Sequence, residues 1–249
     1  MNERPYVTLS CAMSIDGHLD STAPRHLAMS NRADLDRVDQ VRSENDAIMV
    51  GASTVRRDNP RLLVRSQSRR MRRIASGLPG SPVKVTVTSS GELPADAAFF
   101  TSGDVDKIVY SPRGRVRRLE SRLGDAATVV GLGERPTMTG VLDDLAGRGI
   151  RRLMVEGGGK LLTQFLAEDL VDELHLVIAP FFVGEARAPR VVGPATFPWT
   201  AARRAVLADT RQIGDVVLLR YALSDRAGAR AGAGPAASGS RRVLALEAR

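Results

Sequence analysis

The stretch that most constrains this chain is Leu153-Met154-Val155-Glu156-Gly157-Gly158-Gly159-Lys160-Leu161-Leu162. Four residues suited to a buried strand end in a carboxylate, three glycines follow, and Leu161, Leu162, Phe165 and Leu166 then recur at helical spacing. A strand, a glycine turn and a helix can present main-chain N–H groups and a helix N-terminus to a phosphate. Glycine suits that turn because a Cβ blocks close approach and disfavours positive φ. A tight strand-to-helix turn with no ligand fits the same residues, because such loops are short and glycine-rich in general.

Two better-known glycine loops are excluded. A G-x-G-x-x-G fingerprint starting at Gly157 needs glycine where Leu162 stands. The following strand also ends in Ala179-Pro180 rather than in an acidic residue for a ribose hydroxyl. The nucleoside-triphosphate loop needs its first glycine at Met154. A Rossmann dehydrogenase and a P-loop enzyme are therefore not indicated.

The single cysteine, Cys11, excludes an internal disulfide and a multi-cysteine zinc site. His18 and His26 have no ligand-type spacing, so no metal is expected. No export signal or apolar run of membrane length occurs, and a cytoplasmic protein is the expectation. The net charge is +8, but the tail from residue 225 has five arginines against Asp225 and Glu247, and so supplies +3 of it. Aromatics are only 4% and are not interleaved with the basic residues, so anionic small molecules suit the charge better than nucleic acid. Of three lysines, one, Lys160, lies in the glycine loop.

Read in order, residues 4–14 form a first strand and 18–29 a surface loop. Ser30 or Asn31 caps a helix with Leu35, Val38 and Val41 on its buried face. Arg42, near its end, is by itself a solvated arginine favoured by the helix dipole. A strand at 46–51 leads to a helix starting at Thr54 and stopped by Asp58-Asn59-Pro60. Residues 66–82, with Arg69, Arg70, Arg72 and Arg73, have no apolar period and read as a mobile loop. Strands follow at 83–88, 107–110 and 128–130, with helices at 116–123 and 141–146. Strands at 172–179 and 215–221 have no helix between them and finish the sheet antiparallel. One domain over residues 1–224 and a disordered basic tail over 225–249 are expected.

Five motifs, in this order, resemble the reductase half of the riboflavin-pathway bifunctional deaminase/reductase. They are Arg4-Pro5-Tyr6-Val7-Thr8-Leu9 with Ala12-Met13-Ser14-Ile15-Asp16-Gly17; Val41-Arg42 with 46–51; Thr54-Val55 with Asp58-Asn59-Pro60-Arg61-Leu62 and Val64-Arg65; Val155-Glu156-Gly157-Gly158-Gly159; and Val171-Asp172-Glu173-Leu174 with Ala179-Pro180. The resemblance runs from about residue 4 to 222. It implies an α/β, three-layer dihydrofolate-reductase-like fold, with a mostly parallel central sheet and antiparallel C-terminal strands. It further implies NADPH-dependent reduction of 5-amino-6-(5-phosphoribosylamino)uracil to the ribitylamino product by a homodimer.

Carried over by position, Met13, Thr54, Asp58, Ser89 and the loop Gly157, Gly158, Gly159, Lys160 and Leu161, continuing to Gln164, contact the cofactor. Arg42, Leu62, Arg65 and Glu156 contact the substrate, and Asp58 and Glu156 are the carboxylates available for catalysis. Arginine suits the phosphate because its fork binds at two points. Ser10 stands where the family tends to have lysine, and Ala28 where it has tryptophan. The first change removes a cation near the substrate, and the second alters a wall of the cofactor pocket. A paralogue that reduces a related pyrimidine or pterin fits the same motifs. A nucleic-acid-binding or scaffold role for the tail is the alternative of another class.

Overall fold

The computed structural model describes residues 3–227. Among them nine strands form one sheet: β1 (Tyr6–Ser14), β2 (Ala47–Gly51), β3 (Val83–Val87), β4 (Lys107–Ser111), β5 (Thr128–Gly131), β6 (Arg152–Glu156), β7 (Glu173–Ala179), β8 (Val206–Ile213) and β9 (Val216–Ala222). The spatial order is β5-β4-β3-β2-β6-β1-β7-β9-β8. β1 to β7 pair in parallel, and β9 and β8 close the sheet antiparallel.

Alternation along the central strands builds two cores. Ala47, Met49, Leu153, Val155, Ile108 and Tyr110 face one side. There they meet helices α6 (Met138–Gly147) and α7 (Gly159–Ala167). Ile48, Val50, Met154 and Val109 face the other side, against α1 (Arg32–Ser43), α2 (Ala52–Asp58), α4 (Ala98–Thr101) and α5 (Val116–Leu123). The result is the three-layer α/β arrangement expected.

Two local expectations are corrected, and one strand is added. Residues 67–75 are not a loop but a helix, α3 (Gln67–Ala75), capped by Ser66. Its inner face is polar: Arg73 is buried and donates to the carbonyls of Pro79, Ser43 and Asn45, while Arg69 pairs with Asp36 and Asp39. An apolar period was never required there. α1 is capped by Asn31, whose side chain accepts from the Asp34 N–H at 2.9 Å, but Leu35 is 41% exposed. The residues of α1 that are buried are Asp34 and Asp39. β8 adds a strand in the interval read as free of helix; it is a polar edge strand, exposed along most of its length and held by the β9 ladder.

The chain ends of the body meet at Asp172, which is fully buried. Its carboxylate accepts a two-point contact from Arg4 (2.8 and 2.9 Å), the Val7 N–H (2.8 Å), the Ser224 hydroxyl (2.7 Å) and Arg226 (3.2 Å). A buried charge satisfied this fully is costly to strip of its partners, roughly 3–5 kcal/mol. Residues 225–227, assigned to the tail by the sequence, thus pack on the body, and Ala227 is buried. The rest of the expected tail, 228–249, lies outside the described residues. No described helix is long and apolar enough to cross a membrane.

Candidate active-site cleft

β6 lies between β1 and β2, while the chain segments after these strands diverge. α1 and α2 pack on one face of the sheet and α7 on the other. A crevice opens at the carboxyl ends of such strands, where α/β sheets bind ligands. Here it is a cleft of about 1300 Å³. That exceeds the ~300–1,000 Å³ of a pocket for one small ligand.

The glycine loop forms one wall. Gly157 and Gly158 have φ of +75° and +87°, the left-handed region that glycine enters without strain. A Cβ at Gly158 would stand 3.1 Å from Thr54 Oγ1, so loop and α2 approach closely. α7 starts at Gly159 with no side-chain cap; the Leu161 and Leu162 N–H groups donate to the Gly158 carbonyl (2.8 and 3.1 Å), which leaves the amides of Gly159 and Lys160 at the helix N-terminus for a ligand. Gly159 is required for another reason: a Cβ there would lie 2.3 Å from the Arg190 carbonyl oxygen. The strap of residues 189–193 is tied across this point. The Leu19 N–H donates to Pro189, the Val191 N–H to Gly17, and the Gly193 N–H to Thr163 Oγ1 at 2.8 Å.

The opposite wall carries the charges. Arg42 donates to both oxygens of Glu156, Nε to Oε1 at 2.6 Å and Nη2 to Oε2 at 2.5 Å. Both side chains are largely buried, and although burial works against the Arg42 charge, Glu156 outweighs it and raises the guanidinium pKa. Arg42 is thus not the solvated, dipole-favoured arginine that its position alone suggests. Asp39 accepts the main-chain N–H groups of Arg65 and Ser66. That anchors the segment that presents the exposed Arg65 to the cleft. Leu62, just before it, is buried at φ +50°, a conformation costing roughly 1–3 kcal/mol outside glycine. In register, Ser10 stands beside Glu156 on β6 and His175 on β7, so the three share the face toward α1.

Of the residues expected at the site, Thr54, Asp58, Arg42, Leu62, Arg65, Glu156, Gly157, Gly158, Gly159 and Lys160 line this one cleft, as does Gln164. Three lie outside its lining. Leu161 is 3% exposed and packs in the core; Met13 is half-buried on β1; Ser89 is exposed in the turn after β3. Others were missed. Asp20, His26 and Arg57 line the mouth near Asp58, and Arg190 and Thr163 border the glycine loop. Asp20, His26 and Arg190 belong to loops, Arg57 to α2 and Thr163 to α7, and none of them carries a motif of its own. The one signal was two histidines in a stretch without periodicity.

An α/β sheet with this strand order and a glycine-walled cleft at its carboxyl ends defines the class, and residues 5–219 match the RibD C-terminal domain, so the chain belongs to that family. It is 36% identical over 198 residues to the 2,5-diamino-6-ribosylamino-4(3H)-pyrimidinone 5′-phosphate reductase of Archaeoglobus fulgidus, covering 78% of this chain and 89% of that protein. Its identity to the protein of the same name from Methanothermobacter thermautotrophicus is 36% over 222 residues, covering 88% and 98%. Among solved structures, a pyrimidine reductase-like protein from Corynebacterium diphtheriae shares the fold, with TM-score 0.75, 23% identity and coverage of 88% and 91%. RibD of Acinetobacter baumannii superposes with TM-score 0.71 at 26% identity, covering 88% of this chain and 58% of that one.

The contact between Gly159 and the strap generates a test. Gly159→Ala should lower stability by about 1–3 kcal/mol, the usual range for overpacking. It should also speed amide exchange at Val191 and Gly193, as read by denaturation and hydrogen exchange. Unchanged exchange at both amides would contradict the described contact.

Proposed function

We propose that the protein is a reductase that transfers hydride from NADPH to C1′ of a ribosylaminopyrimidine 5′-phosphate, giving the ribitylamino product. The observation that carries this reading is the cleft itself. Uncapped helix amides and glycines form one wall, and two arginines with two carboxylates form the other, around a volume larger than one ligand needs. The sequence pointed to 5-amino-6-(5-phosphoribosylamino)uracil. Three relatives covered over 85–98% of their length are named for the 2,5-diamino compound, and we propose that compound as the substrate. The choice of NADPH over NADH rests on the family resemblance.

The residues present fit a dinucleotide. Gly158 lies so close to Thr54 that any side chain would crowd the space between them, and the loop amides can face phosphate oxygens. Gly157 to Lys160 and Thr54 would hold the cofactor, which supplies the hydride when bound. Arg65, which makes no ion pair among the described residues, is the free cation for the substrate phosphate. Arg42 has two of its donors committed to Glu156, so it acts mainly by orienting that carboxylate. Glu156 can then accept from ribose hydroxyls. Asp58, whose pKa is raised by burial and only partly offset by His26 and Arg57, can carry a proton to the reacting sugar.

A homodimer belongs to this reading. Its support is the uncovered edge strand β8, with Val206 and Leu207 exposed. An unpaired edge is a template for a second chain. Sedimentation should give twice the mass of the chain; a single-chain mass at assay concentration would remove the dimer.

The test of function is nicotinamide oxidation on addition of either pyrimidine phosphate. Substrate-dependent oxidation is expected, faster with the 2,5-diamino compound. Arg65→Ala should raise KM for the phosphorylated substrate about 10- to 100-fold, the loss of roughly 1.5–3 kcal/mol for a charged hydrogen bond. It should leave KM for a dephosphorylated analogue unchanged. No oxidation by folded protein would refute the reading, and equal effects on both substrates would refute the role of Arg65.

A further inference from the structure

By sequence His26 is a loop histidine with no ligand-type spacing, and the reductase reading gives it no step of its own. In the structure it joins the loop 18–29 to the end of α2. Its Nδ1 lies 2.5 Å from Asp20 Oδ2. Its Nε2 faces two more acceptors, the Arg57 carbonyl at 3.4 Å and Asp58 Oδ1 at 3.5 Å. Asp20 is itself anchored: its Oδ1 accepts the N–H groups of Ser21 (2.9 Å) and Leu27 (3.0 Å). These bonds hold it ionised although burial opposes the charge. Arg57 Nη2, 3.6 Å from Asp20, is the cation nearest the group.

Both ring nitrogens therefore look only at acceptors, an arrangement satisfied when both carry hydrogen. Asp20 fixes the Nδ1–H and leaves Nε2–H to be shared between the Arg57 carbonyl and Asp58. The bond to Asp20 raises the pKa of His26, reinforced by Arg57 O and the Asp58 charge. The imidazole is 46% exposed, so its Nε2 can exchange protons with water, and Asp20, His26, Arg57 and Asp58 all line the cleft.

We propose that His26, held by Asp20, is a positioning residue that returns to Asp58 the proton this carboxyl gives to the substrate. The proposal rests on the reductase reading. Opening the sugar moves a proton from the exocyclic nitrogen to the ring oxygen and leaves a C1′=N imine. Hydride adds to C1′, the π pair moves to nitrogen, and nitrogen takes one proton from the Asp58 carboxyl. Asp58 regains that proton from His26 Nε2, and Nε2 regains one from water. One hydride and one proton are consumed per turnover, and Asp20 stays ionised throughout.

The groups facing His26 are Asp20 on its own loop and Arg57 and Asp58 on α2. Two measurements test the proposal. The first is kcat against pH for wild type, His26→Gln and His26→Ala. Relative to wild type, kcat of both variants should fall about tenfold or more at pH 8, less at pH 6, with KM little changed, and added imidazole should restore His26→Ala. Profiles parallel to wild type, with no imidazole rescue, would reduce His26 to a clamp for its loop and overturn the proposal. The second measurement is independent of turnover: the NMR titration of His26. Its midpoint should fall in Asp20→Asn and, by a smaller amount, in Asp58→Asn; an unmoved midpoint in both overturns the coupling. An inactive wild type with a coupled titration would instead locate the failure in the reductase reading.

Discussion

β6 enters the sheet late in the chain and yet occupies its middle. It pairs Leu153↔Val7 on one side and Leu153↔Ala47 on the other, so its main chain is held from both sides between Leu153 and Val155. Its faces are buried by Leu153, Met154 and Val155, each worth roughly 1.5–3 kcal/mol when withdrawn from water. The strand cannot slip by one residue without turning that set inside out. Glu156 and the glycines are consequently delivered to one defined place between α1, α2 and α7. The cleft is the outcome of this insertion.

The charged groups around it are arranged as a second framework. Asp39, buried on α1, ties down the main chain at Arg65 and pairs with Arg69 on α3. Arg42, one turn further along α1, grips Glu156. A single helix thus positions a carboxylate on the sheet and a cation on the following loop. Acceptors and donors held this way need little reorganisation when a charged ligand arrives, which is the condition for strong electrostatic stabilisation. The cleft wall and the packing of α1 are in this sense one set of contacts.

The strands with apolar alternation, the two-faced sheet and the strand–glycine–helix unit were legible in the sequence because burial leaves a period. α3 was not legible, because Arg69 and Arg73 fill the positions where apolar residues would have signalled a helix. β8 was not legible either, because it buries almost nothing and owes its conformation to β9. On α1 the inward stripe contains Asp34 and Asp39 instead of Leu35, since the cleft wall wants charges. At the site, Glu156, the glycines, Thr54, Asp58, Arg42 and Arg65 line one cleft, whereas Met13, Ser89 and Leu161 lie off its lining. The Asp20–His26–Asp58 cluster joins the loop 18–29 to the end of α2 by side chains alone, so no spacing could announce it.

The central claim is that both ligands lie together in this one cleft, close enough for direct transfer between them. Reduction with NADPH carrying deuterium at the transferred C4 position measures that proximity. One deuterium per molecule at C1′ of the ribityl chain is the result predicted. Product formed without deuterium at C1′, or deuterium lost to water, would contradict direct transfer and with it the account of the cleft.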